Sequence, residues 1–319
     1  MTIAVVFPGQ ASQDVGMGVA LRAASSDAAQ VFQLADEISG LPISRLCAEG
    51  PLDELTRTNV AQIAVVATSI AAAILFRERL GNAIQPAVAT AGHSVGEIAA
   101  LWFAGALDLH DALSLVFERG TLMERDSQSC DGTMVAVLGL DAETLGQICR
   151  DVSTPDACVQ VANLNAPGQV VLSGARQAVK QASVRAEQSG ARRVIALNVG
   201  GPFHSIYMRE AASGFAKVSE RIQVHQSQIP VVLNTSAQAT TGAADLQREL
   251  AEQITRPVRW EESIRALSGL GCDTFIELGH GQVISGLIKR IVPEAAVLAI
   301  GSPEQADRAL RTLQGAQAI

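Results

Sequence analysis

Three observations predict an α/β fold with a mostly parallel sheet in a large domain and a small ferredoxin-like subdomain. Short β-branched runs bounded by Gly, Pro or Asn alternate with helical stretches long enough to be crossovers. The run at 87–91 passes through Gly92-His93-Ser94-Val95-Gly96 straight into an apolar helix at 95–105. From about 127 to 200 the order changes to β-α-β-β-α-β, the ferredoxin-like signature. The expected division is therefore 1–126 with 201–319 for the large domain and 127–200 for the small one.

The bulk composition allows this. A chain of 319 residues, 48% of them apolar, can bury one large core and carry a smaller inserted unit. Its formal charge of −8 argues against a nucleic-acid backbone as the main partner. Five scattered cysteines (47, 130, 149, 158 and 272) include no C-x-x-C pair, which fits reduced thiols in a cytoplasmic protein and no metal site.

The first strand is expected at 3–7, where Ile3-Ala4-Val5-Val6-Phe7 follows Met1 with no basic leader region. The apolar stretch 59–76 is interrupted by Gln62, Thr68 and Ser69 and followed by Arg77-Glu78-Arg79. It reads as a buried core helix, with no membrane span. Further strands are expected at 134–138, 159–162, 169–172, 194–199, 231–234, 274–277 and 296–300. Residues 163–168, Asn-Leu-Asn-Ala-Pro-Gly, form a suitable hairpin loop between the strands at 159–162 and 169–172. Helices are expected from Asp141 and over 175–190 in the small unit. Ser302-Pro303-Glu304-Gln305 opens the last helix as an N-cap, with Pro at the first helical position and Gln at N3.

The elbow is the strongest chemical signal. Glycines at 92 and 96 permit a sharp strand-to-helix turn that exposes the Ser94 hydroxyl, with the first helix amides beside it. Ser94 is thus the expected nucleophile. Its base is sought among five histidines. His93 adjoins the serine and diverges from it at a tight turn. His110 and His225 lie in polar, solvated settings, and His280 is a weaker contender beyond a strand. His204 stands in Gly200-Gly201-Pro202-Phe203-His204-Ser205, a shaped loop where the chain leaves the small unit. It is the candidate base; the alternative is a histidine near a helix N-terminus without catalytic duty.

Arg119 is the second unusual residue. In the helix over 109–126, Ala112, Leu115, Val116, Leu122 and Met123 form an apolar stripe, and Arg119 occupies its i+7 position. A guanidinium there needs compensation. A structural partner among the Asp and Glu residues, a snorkelling side chain, and a fork awaiting a substrate carboxylate all satisfy the pattern. Finally, Phe7-Pro8-Gly9-Gln10 leads out of the first strand, where the Gln10 amide could serve as an oxyanion donor.

Together these segments resemble the malonyl-CoA:acyl-carrier-protein transacylase family. The matching stretches are FPGQASQ (7–13), GHSVGE (92–97), the helix bearing Arg119, ANLNAPGQVVLSG (162–174), GPFHS (201–205), EQITRPVRW (252–260) and FIELGHGQVISGLIKR (275–290). The resemblance implies a hydrolase-like large domain and ping-pong acyl transfer. Malonyl-CoA would load Ser94 with help from His204, and the phosphopantetheine thiol of an acyl carrier protein would accept the malonyl group. It implies an oxyanion hole from Gln10 and Val95, a malonyl-carboxylate site at Arg119, and orientation of the histidine by the main-chain carbonyl of Gln253. Asn163, Asn165 and Phe203 would line the cleft, Phe203 favouring malonyl over methylmalonyl by size. No cofactor beyond the coenzyme A thioester substrate is implied.

The pathway stays open between fatty-acid synthesis, a polyketide line with a detached acyltransferase, and malonate decarboxylase. In another reaction class, a serine thioesterase or hydrolase would use the same Ser94 and His204. Three places depart from the usual family pattern: Ala11 stands where glycine is usual, residues 279–282 read Gly-His-Gly-Gln where Gly-Pro-Gly-Lys is common, and 127–131 looks atypical. For an acidic carrier protein, Arg192-Arg193 and Lys289-Arg290 are the candidate docking cations.

Overall fold

A computed structural model describes residues 1–81 and 87–317, with side chains to 315. Among the described residues, ten strands form two sheets. β1 (Ile3–Phe7), β2 (Ala89–Gly92), β7 (Val231–Val232), β8 (Ala239–Thr240), β9 (Thr274–Leu278) and β10 (Ala296–Ile300) make the larger, in the order β10-β9-β1-β2-β7-β8. Every pairing in it is parallel except β7 with β8. β1 is buried on both faces, as a central parallel strand must be, and its continuous apolar run reflects that.

β3 (Gly132–Leu138), β4 (Val159–Ala166), β5 (Gln169–Ala175) and β6 (Arg193–Ala196) form the second sheet, order β4-β5-β3-β6, antiparallel throughout. Helices Ala142–Val152 and Arg176–Gln188 complete the β-α-β-β-α-β arrangement. Asp141 caps the first of them, its side chain accepting from the Thr144 amide at 2.7 Å. The packing face of this unit is supplied by Val137, Leu145, Leu172, Val179 and Ala182, all buried.

The Thr58–Leu80 helix is long and apolar enough to cross a membrane, but 89% of its apolar window is buried inside the fold. It packs against the Arg119-bearing helix, Leu109–Gln128, in the main core. Its C-terminal charges find local partners: the Arg77 guanidinium lies 4.3 Å from the Phe103 ring centroid and donates to the Phe103 carbonyl at 2.8 Å.

The structure corrects several sequence expectations. The 163–168 loop is mostly strand: β4 runs on to Ala166 through two register shifts, leaving Pro167-Gly168 as the turn. Asn163 and Asn165 therefore sit on a strand, held there because Val258 bridges to Asn163 along the edge of β4. β6 ends at Ala196, not 199, since the chain peels away towards the interlobe cavity after Leu197 donates to the Met134 carbonyl at 3.1 Å. β7 covers only 231–232, and β8 was not anticipated; two residues are too few to show an alternating pattern. The β2 strand begins at Ala89, and residues 82–86 before it lie outside the described residues. At the last helix, Ser302 accepts from Gln305 N as expected, while the Gln305 side chain returns to the Gly301 amide at 2.7 Å, one residue before the cap.

Candidate active site

The elbow is built by contact distances no side chain could tolerate. A Cβ on Gly92 would lie 2.0 Å from the Gly96 carbonyl oxygen, and one on Gly96 would lie 2.5 Å from that of Pro8. Strand β2 can therefore turn directly into the Gly96–Phe103 helix. Ser94 sits at the apex with φ 51°, in the left-handed region that a non-glycine residue enters only under constraint. Part of that constraint is Asn234, whose Oδ1 accepts from the Ser94 amide at 2.7 Å. The Asn234 Nδ2 is anchored in turn on the Gly92 carbonyl at 2.7 Å.

His204 meets the serine. Its Nε2 is 2.7 Å from Ser94 Oγ. On the other side of the ring, Nδ1 faces two carbonyl oxygens, of Gln253 at 3.1 Å and Arg256 at 3.0 Å. Two acceptors at Nδ1 require a proton there, so Nε2 is the lone-pair nitrogen turned towards the hydroxyl. Burial, reinforced by the Arg119 charge, lowers the imidazole from 6.5 to about 3 and keeps it neutral near pH 7. The other histidines stand apart. His93 points away from the serine, placing Nε2 2.9 Å from Asn165 Oδ1. His110 and His225 are exposed, and His280 does not line the cavity described below.

Arg119 is 1% exposed, and among the described residues none of its hydrogen-bond partners is an acid. Its Nη1 donates to Gln62 Oε1 at 2.7 Å; its Nη2 donates to Gln253 Oε1 at 2.8 Å and lies 3.2 Å from Ser94 Oγ. Of the three explanations for a buried arginine, the acid-paired and snorkelling ones do not describe this geometry. Burial lowers the guanidinium to about 10, with Glu97 opposing the shift, so it remains charged near neutrality. Gln253 thus serves twice, its carbonyl on His204 and its side chain on Arg119.

A cavity of about 360 Å³ lies between the two sheets, with Gln10, Ser94, Asn163, Asn165, Phe203 and His204 on its wall. Gln62 and Met123 line it near Arg119, whereas the guanidinium sits behind Ser94 and off the wall. Met134, Ala136 and Val171 of the second sheet, with Val283 and Leu287 of the Val283–Ile291 helix, make the rest largely apolar. Among the described residues, no intramolecular acceptor engages the backbone N–H of Gln10 or Val95. Ala11, beside Gln10, has φ 84°, a conformation suited to the glycine usual there.

Of the two basic pairs, Arg192-Arg193 is exposed beside Gly139, and Arg290 is tied to the β4–β5 turn through the Pro167 carbonyl (3.1 Å) and Gln169. Residues 127–131 end in an exposed ion pair of Asp131 with Arg176 at 2.7 Å.

Sequence reasoning missed three contributors: Gln62, Arg256 and Asn234. Gln62 had a signal, a lone amide inside an apolar helix. Arg256 and Asn234 act through a carbonyl and a backbone anchor, and no local pattern marks either.

Fold and site together define an α/β enzyme that presents a serine at a strand-to-helix elbow to a buried, carbonyl-oriented imidazole. The family model of the acyl transferase domain matches residues 4–318, and the chain belongs to that family. It is 43% identical to a malonyl CoA-acyl carrier protein transacylase of Bacillus subtilis, over 98% of this chain and 97% of the relative. The solved malonyl CoA-acyl carrier protein transacylase of Coxiella burnetii superposes with a TM-score of 0.94 at 32% identity, covering 98% of both chains. A malonyl-transacylase solved in complex with its type II polyketide acyl-carrier protein superposes with a TM-score of 0.92 at 35% identity, over 98% of this chain and 100% of that one.

Proposed function

We propose that this protein moves a malonyl group from malonyl-CoA to the phosphopantetheine thiol of an acyl carrier protein, through a malonyl ester on Ser94. His204 Nε2 takes the Ser94 proton as Oγ attacks the thioester carbonyl. The C–S bond breaks, and the proton passes to the departing thiolate of coenzyme A. The carrier thiol then gives its proton to His204 and attacks the ester, so that Ser94 leaves with the proton returned. The amides of Gln10 and Val95 serve the oxyanion in both halves, a contribution of about 10²–10³ in rate per donor in comparable sites.

The observation that carries this reading is Arg119: a charged fork 3.2 Å from the reacting oxygen, bonded among the described residues only to amide and hydroxyl oxygens. A planar cation in that position suits a substrate carboxylate, which a simple acyl hydrolase has no need to bind. A cytoplasmic setting accords with five unpaired cysteines. Lys289-Arg290 and Arg192-Arg193 stay the candidate contacts for an acidic carrier.

Intact-mass measurement after brief exposure to malonyl-CoA or acetyl-CoA, with and without a carrier protein, tests the proposal. A malonyl adduct that is lost in Ser94→Ala and discharged by the carrier is the expected result. Rapid hydrolysis without a carrier, indifferent to Arg119→Ala, would establish a thioesterase instead.

A further inference from the structure

Glu97 is 1% exposed, lies one helical turn from Ser94, and has no part in the chemistry above. Its carboxyl group faces three N–H donors: Oε1 accepts from the Asn234 amide (2.9 Å) and Nδ2 (3.0 Å), and Oε2 accepts from Gln253 Nε2. Both amide side chains are held in register by main-chain groups. Asn234 spans the Gly92 carbonyl and the Ser94 amide, each at 2.7 Å. Gln253 Nε2 also donates to the Ser94 carbonyl at 2.9 Å, which leaves Oε1 for Arg119. Neither amide can therefore turn an oxygen towards Glu97.

An acid meeting three donors and no acceptor is satisfied as a carboxylate; a neutral acid would turn its O–H against donors. Burial and the neighbouring Glu249 push the Glu97 acid well above the usual carboxylate range, against the pull of these donors and the Arg119 charge; the donor geometry is what argues for the anion. The result is a relay in which an anion and a cation bind opposite ends of one amide.

We propose that Glu97 is a positioning residue whose carboxylate fixes the Gln253 amide, and through it holds the Arg119 guanidinium in the orientation that receives a substrate carboxylate. The proposal rests on the reading of Arg119 given above.

Glu97→Gln is the direct test, because it keeps shape and copies a neutral acid while setting a new NH₂ against Gln253 Nε2. Single-turnover loading of Ser94 should lose at least tenfold in the ratio of malonyl to acetyl, chiefly through KM for malonyl-CoA. Acetyl loading should fall far less. An unchanged ratio in folded Glu97→Gln overturns the proposal, as does an equal fall for both acyl groups, which is what a purely structural role predicts. Should that variant not fold, Glu97→Asp decides: its carboxylate falls one methylene short of Gln253, so an unaltered ratio overturns the proposal and a lowered one supports it. Wild-type protein that loads acetyl as well as malonyl would remove the reading of Arg119 first, and this proposal with it.

Discussion

The Arg119 guanidinium stands 3.2 Å from the Ser94 hydroxyl oxygen, directly behind the nucleophile and just off the cavity wall. In the proposed reaction, a diacid half-thioester bound by its carboxylate would be delivered to the serine at a fixed separation, which converts binding into orientation. Arg119→Ala should cut malonyl loading by about 10²-fold or more while acetyl loading changes little. Arg119→Lys should recover only part of the loss, since an ammonium cannot hold a carboxylate bidentately. Loading rates by rapid quench decide both; equal losses for the two acyl groups would point to a structural arginine.

His204 sets the pH dependence. With its folded value near 3, the imidazole is neutral near pH 7 and in the form the proposed base role needs. The kcat/KM for malonyl loading should therefore run level from about pH 8 to 5, with an acid limb well below the unperturbed 6.5. The limb should move upward in Arg119→Ala, which removes the largest charge contribution to the shift. Stability follows the same sign. Between about 3 and 6.5 the unfolded chain binds a proton that the folded one refuses, so this contribution is full above 6.5 and fades as pH falls. A wild-type acid limb at 6.5 would show a solvated imidazole.

Ala11 keeps a left-handed φ of 84° on the loop that carries Gln10. An L-residue there costs roughly 1–2 kcal/mol, partly offset by the greater freedom that glycine loses on folding. Ala11→Gly should raise unfolding stability by up to about 1 kcal/mol in urea titrations. A loss of stability would mean that the alanine methyl makes contacts outweighing its backbone strain.

Phe203 is buried beside His204 and lines the cavity. Replacing it with Ala should shift the methylmalonyl-to-malonyl ratio upward by about 10-fold or more, within the ~1–3 kcal/mol that one methyl can contribute. An unmoved ratio in a competition assay would place the selectivity elsewhere on the wall.

Gly92 admits no side chain. The Cβ of Gly92→Ala would lie 2.0 Å from a backbone oxygen of the elbow itself, where no rotamer change can relieve it. Destabilisation of at least about 3 kcal/mol, or failure to fold, is the expected outcome of calorimetry on that variant.

How legible the molecule was in its residues follows from the range of each interaction. The elbow, the helix start at Asp141 and the stripe around Arg119 are local, so the residues alone revealed them. The cavity wall required strand β4 to continue past Ala162, and that depends on Val258, nearly a hundred residues onward. Asn234 gave no hint because its work is done by an amide bridging Gly92 and Ser94 across adjoining strands. Gln62 could have been singled out: an amide interrupting an apolar helix invites the question of what it meets, and the answer is Arg119.

One short segment, 253–259, ties the parts together. Its carbonyls at Gln253 and Arg256 grip the imidazole, Val258 exchanges hydrogen bonds of 2.9 Å with Ala162 and Leu164, and the Arg259 amide donates to the Asn234 carbonyl at 2.9 Å. Prising the two sheets apart would drag the base off the serine and loosen the elbow in the same stroke.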